Sequence, residues 1–179
     1  METVLICESD AKQRDAAFKG VQQCLRTFLK GYPDDGGCEE GVSYWDCAGA
    51  SFFESLYFMQ FAPKQAVLTL NEAQKKKVEN MGRFITTMYI NDLTFVNFSD
   101  AQAQNVPNIN ILFPYGEFLQ NEQMMQLAAY VGKKYQYSLK PSTLFLKSGN
   151  YPKLGRELML LSMLPKYQKT AAVEPKTED

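Results

Sequence analysis

The sequence predicts an all-α fold, an α/α toroid-like stack of about six helices in about three hairpins. Three observations point there. Apolar residues recur at three- and four-residue steps over several long segments. Residues 42–61 are apolar around almost the whole circumference of a helix, whereas the preceding residues 11–30 are amphipathic, so an inner and an outer helix are expected side by side. No segment alternates strictly enough to make a convincing sheet.

Taken in order, the short apolar opening Val4-Leu5-Ile6-Cys7 reads as one further helix end. In residues 11–30 the stripe is Ala17, Val21, Cys24, Leu25, Phe28 and Leu29, which makes Cys24 a buried thiol, and Gly31 and Pro33 stop the helix. The turn residues Pro33-Asp34-Asp35-Gly36-Gly37 cannot continue it. Pro63 closes the inner helix at 42–61. Asn71 then offers an N-cap with Gln74 three residues on, ahead of a stripe of Val78, Met81, Phe84, Ile85 and Met88. Residues 93–100 are short and β-prone and are expected as an extended loop. Further helices are expected at 122–135, capped by Asn121, and at 152–164, with Pro152 in the first turn. Beyond Pro165 there is little to bury, so one helical domain over 1–165 and a disordered tail over 166–179 are expected.

Composition narrows the function. The 179 residues suffice for one domain, and 45% are apolar. With 19 basic and 20 acidic residues, net charge −1, there is no electrostatic case for nucleic acid or an anionic membrane surface, and Lys75-Lys76-Lys77 reads as the solvated face of a helix. No basic n-region with a long apolar stretch marks a secretory signal, and no apolar run reaches the roughly 18 residues of a membrane span. The cysteines at 7, 24, 38 and 47 form no C-x-x-C pair. With no histidine present they suggest no metal site, and no cofactor is expected. Cys38 and Cys47 are either free thiols or a disulfide. The absence of histidine excludes Ser-His, Cys-His and histidine–metal mechanisms within the chain and leaves acid–base work to Tyr, Lys, Arg, Asp or Glu.

The most informative stretch is residues 32–45, where acidic residues, glycines and an aromatic pair meet at the opening of a helix. Exposed aromatic faces at Tyr44 and Trp45 would stack on sugar rings, and Glu39 and Glu40 would accept sugar hydroxyls. The plainer alternative makes Asp34 and Asp35 turn residues, Glu39 and Glu40 complements of a helix N-terminus, and Trp45 core. The carboxylate pairs also suggest a glycoside hydrolase, but adjacent carboxylates on a turn point in different directions.

The segment Pro33-Asp-Asp-Gly-Gly-Cys-Glu-Glu-Gly-Val-Ser-Tyr-Trp45 resembles the E-D-G-G-x-x-E-G-x-x-Y-W region of heparinase II/III-like proteins. In the same order, Phe95-Val-Asn-Phe-Ser-Asp-Ala101 is similar to the family's F-V-N-F-A-D-A loop, and Phe113-Pro-Tyr-Gly116 resembles its Y-R-F-G segment. The resemblance covers roughly residues 3–165. It implies an incomplete α/α toroid followed by a β-sandwich, in bacterial enzymes that cut acidic polysaccharides of glycosaminoglycan or alginate type by β-elimination. It implies Tyr44 as the acid–base tyrosine. The family's carboxylate-neutralising Asn or His lies on a helix upstream of the glycine-rich region, and Met1 falls inside its equivalent. That group, the catalytic histidines and the β-sandwich are missing from this chain, leaving Arg83 and Asn97 as local neutralisers. The expectation is therefore a fragment that binds acidic polysaccharide with weak or no turnover, from a periplasmic or exported parent, with self-association through helix faces left uncovered. A non-enzymatic helical domain binding carbohydrate or protein is the alternative.

Overall fold

In a computed structural model, which describes residues 1–135 and 154–175, the chain is mainly helical. In chain order the elements are α1 (Glu2–Cys7), α2 (Ala11–Gly31), α3 (Gly49–Met59), α4 (Glu72–Thr87), β1 (Tyr89–Asn91), β2 (Thr94–Phe95), α5 (Ile109–Phe118), α6 (Glu122–Lys134), α7 (Leu154–Ser162) and α8 (Leu164–Lys169), with 3₁₀ turns at Val42–Tyr44 and Lys64–Ala66. The all-α expectation holds for the described residues apart from the small β1–β2 ribbon.

Local chemistry explains most boundaries. The Asp10 carboxylate accepts from the amides of Lys12 and Gln13 at the start of α2. Asn71 and Gln74 form the expected capping box on α4, and the Asn121 side chain accepts from Met124 N to open α6. Such caps satisfy amides that have no partner within the helix, each worth about 1 kcal/mol.

The expected helix over 42–61 is broken in two. Trp45 is drawn into the core, where its indole N–H donates to Met81 O at 2.7 Å. The chain then leaves helical geometry at Ala48 (φ −100°, ψ −95°) before α3 begins at Gly49. A sequence apolar on all sides carries no phase, so periodicity could not show the break. The most buried helix is instead α5, which packs against α6 and α7, while α3 packs on α4 and α5. An aromatic stack crosses the centre: Trp45 to Tyr115 at 6.1 Å between ring centroids, and Tyr115 to Phe53 at 4.1 Å. Burying side chains of this size contributes roughly 1.5–3 kcal/mol each.

Other expectations need correction. Residues 93–100 are not wholly a loop, because Thr94 and Phe95 pair antiparallel with β1. The connection through Asp92 (φ 42°) and Leu93 (φ 61°) has the two positive φ values of a tight primed hairpin turn. Cys24 is exposed and Cys38 buried, and all four cysteines are free thiols. Pro152 lies outside the described residues, and the last expected helix is described over Leu154–Ser162. The segment after Pro165, expected to be disordered, is helical to Lys169, and the Glu174 carboxylate accepts from Tyr89 Oη and Asp92 N, both at 2.5 Å. It is held by Tyr167, whose ring packs edge-on against buried Phe113 at 5.2 Å, and by the polar anchor at Glu174. No helix among the described residues is long and apolar enough to cross a membrane.

Candidate functional site

The site is built around two glycines with positive φ. Gly36 (φ 79°) lies so close to α4 that a Cβ there would sit 2.2 Å from Asn80 C and 2.3 Å from Met81 N. Only glycine combines that backbone with that approach. The turn is tied to the same helix by Asn80 Nδ2 donating to Asp34 O (2.9 Å), and by Lys77 Nζ donating to Tyr32 O (2.7 Å) and Leu29 O (3.1 Å). Lys77 also pairs with Asp34 at 2.7 Å. Lys77 is therefore not part of a solvated face. It is largely buried and caps carbonyls at the C-terminus of α2, where a cation is favoured. Asp35 accepts from Gly37 N at 2.9 Å, so Asp34 and Asp35 are turn residues.

Gly41 (φ 87°) does the same on the other side. A Cβ there would fall 2.4 Å from Ala101 Cβ and 2.8 Å from Phe98 O. Ser43 Oγ accepts from Gln102 N at 3.0 Å and fastens the same seam. Together with the Trp45–Tyr115 stack, these contacts bring residues 33–45, 95–101 and 113–116 into one packed unit.

On the outside of that unit Glu39, Glu40 and Asn97 are exposed, and Tyr44 is 40% exposed. The Gly41–Phe98 and Ser43–Gln102 contacts set residues 39–44 beside residues 97–102. Two expected residues do not join this surface. Trp45 is 1% exposed and cannot stack on a sugar; its ring fills the core because the indole N–H finds a partner there. Arg83 points along α4 to Glu79 at 2.6 Å, and none of its described contacts reaches residues 39–44 or Asn97. Glu79 is held below the usual carboxylate range by a hydrogen bond from Lys76, with Arg83 adding to it. Residue spacing missed Phe98, which is 39% exposed and supplies the aromatic face that Trp45 withdraws. It lies in the second resembling segment, but nothing in that segment separates it from buried Phe95.

Behind the surface is a charge cluster that spacing also could not show. Arg156 on α7 is fully buried. Its Nε donates to Glu54 Oε2 (2.8 Å), and Nη2 donates to Ser51 Oγ (2.9 Å) and Asp46 O (3.0 Å). Nη1 pairs with the Asp46 carboxylate. A guanidinium is suited to this, since its rigid fork serves several acceptors at once. The cluster anchors the turn that presents Tyr44 to both α3 and α7.

Chemically, the exposed face offers carboxylate acceptors, an amide and two aromatic rings. No set of three metal-ligating side chains comes together among the described residues. No known protein-family model matches the chain, and no curated protein matches it.

Proposed function

We propose that this chain is the sugar-facing helical part of a polysaccharide lyase-like protein of α/α-toroid type, which binds uronic-acid polymers and does not by itself cleave them. The observation that carries the reading is the packing of the three resembling segments around Gly41 and Trp45, which leaves Tyr44 and Phe98 exposed beside Glu39, Glu40 and Asn97. Aromatic faces next to hydroxyl acceptors suit a glycan, whose rings present apolar C–H faces and polar edges.

Binding is favoured over catalysis by the side chains around the tyrosine. β-Elimination needs a group that neutralises the uronate carboxylate while the C5 proton leaves. The Arg83 guanidinium is engaged by Glu79, and the exposed carboxylates Glu39 and Glu40, which precede Tyr44 in the same turn region, would oppose a second negative charge. Asn97 remains as an amide donor to the substrate.

The test is titration calorimetry of the protein with alginate, heparin and hyaluronan, alongside an absorbance assay for the unsaturated elimination product. Binding to at least one polymer is expected, without turnover. Tyr44→Ala and Phe98→Ala should each weaken binding about tenfold, which is roughly 1.4 kcal/mol and within the range of an aromatic contact. Appreciable product would overturn the non-catalytic reading, and absence of binding to all three would overturn the carbohydrate reading.

A further inference from the structure

The hairpin β1–β2 is held at its tip by the far end of the chain. Beyond Lys169 the side chains of Ala171 and Val173 are exposed, and the described polar contacts that tie residues 171–175 to the rest of the fold belong to Glu174. One oxygen of its carboxylate, Oε1, accepts from Tyr89 Oη and from Asp92 N, both at 2.5 Å. The Tyr130 hydroxyl on α6 faces the same carboxylate. Burial pushes the phenols of Tyr89 and Tyr130 above their ordinary values and the carboxylate adds to it, so both keep a proton to donate. Lys134, also on α6, pairs with the Asp92 side chain.

The tip needs such a hold. Asp92 (φ 42°) and Leu93 (φ 61°) both lie in the left-handed region, in a turn whose second position ordinarily takes glycine. A leucine there is strained and persists only where its surroundings fix it. Leu93 is fully buried, and the Glu174 carboxylate fixes the amide of the residue before it. We infer that residues 170–175 are a strap, latched by Glu174, that locks the strained hairpin and with it one side of the exposed face. The lock is transmitted through residues 93–96, which are bonded on both sides. Val96 N donates to Met88 O and Phe95 N to Ala103 O, both at 2.8 Å, and Asn105 N donates to Leu93 O at 3.1 Å. Phe95 and Ala103 thereby close the base of the loop 96–102, which carries Asn97 and Phe98 and packs on Gly41. Opening the latch frees the hairpin and loosens this loop while the helices stay folded. The lock is a property of the backbone, independent of what the face binds.

Hydrogen–deuterium exchange, read by mass spectrometry on the full chain, compares wild type, Glu174→Ala, Tyr89→Phe and the double variant. Tyr89→Phe removes one donor but keeps the ring edge-on to Phe95. Thermal unfolding identifies any variant that fails to fold, and the two single changes probe one contact from opposite sides. In Glu174→Ala, residues 88–96 and 103–105 are expected to exchange about tenfold faster or more, with α2 and α4 unchanged. Tyr89→Phe should accelerate the same residues by a smaller factor, and the double variant should be no faster than Glu174→Ala. Acceleration confined to residues 170–175, or a hairpin unchanged in every folded variant, would overturn the lock. So would an equal acceleration in α2 and α4, which would make Glu174 a contributor to global stability only. Single effects that multiply in the double variant would show that the two residues do not act through one contact, and would overturn the latch assigned to Glu174.

Discussion

Glu39 and Glu40 lie within fifteen residues of Asp46 and Glu54, yet the two acidic sets meet opposite environments. The first pair stands in water at the edge of a turn. The second is drawn inward onto the guanidinium of Arg156, which has no exposed surface. Carboxylates close in sequence therefore do different work here: Asp46 and Glu54 fix where the turn sits, and Glu39 and Glu40 are what the turn displays. A cluster of acids is informative about function only once it is known which of them have a buried partner.

The sharpest way to break this contrast is Arg156→Ala. It removes a buried cation from two poorly hydrated carboxylates, and loss of one member of a buried ionic set costs about 3–5 kcal/mol. Chemical denaturation should show a loss of that size, whereas Glu39→Ala with Glu40→Ala should change stability by no more than about 0.5 kcal/mol. Equal effects from the two changes would erase the distinction between the regions.

A smaller effect is expected at the seam that holds the displayed region in place. Gly41→Ala forces a side chain into positive φ, costing about 1–2 kcal/mol. It also presses a Cβ onto Ala101 and Phe98 O, where overpacking typically adds roughly 1–3 kcal/mol. The loss should approach that of Arg156→Ala without exceeding it. It should also weaken glycan binding more than the stability loss alone explains, because residues 97–102 would move away from residues 39–44. Denaturation and calorimetry on one preparation measure both. A fully stable Gly41→Ala protein would show that the seam is looser than the contacts indicate.

The parts of this arrangement that were legible in the sequence are those governed by local chemistry. α2, α4 and α6 follow from one-sided apolar stripes, and Asn71 and Asn121 cap the last two through side chains that reach amides three residues on. The glycine-rich turn was legible as a turn, and Tyr44 as a residue beside it. What could not be read depended on distant contacts. Trp45 and Tyr44 are adjacent aromatics, and only the carbonyl of Met81 decides which of them turns inward. α5 is apolar on almost every side and contains Pro114, which removes an internal donor, so neither period nor propensity marks it as the central helix. The ribbon Tyr89–Phe95 is too short to produce an alternating pattern. Arg156 is an odd residue in an apolar stretch, but its partners at 46 and 54 are visible only after folding.

The smallest expected effect concerns the residue next to Arg156 and refines the contrast by adding an acid that is buried without being drawn into the Arg156 cluster. Burial alone pushes the Glu157 carboxyl above its ordinary value. A group whose pKa is raised by folding binds its proton more tightly in the folded state. Its stabilising contribution is thus complete below the unfolded value, about 4.3, and is lost as pH rises through the folded value. Above the unfolded value, burial of Glu157 therefore works against the fold, in part offset by its position in the first turn of α7, where the helix dipole favours negative charge. Glu157→Gln should accordingly raise stability near pH 7 by about 0.5 kcal/mol or less and should confer no advantage near pH 4. Denaturation curves at the two pH values check the sign. Destabilisation at pH 7 would mean that Glu157 belongs with Asp46 and Glu54 as a charge the fold requires.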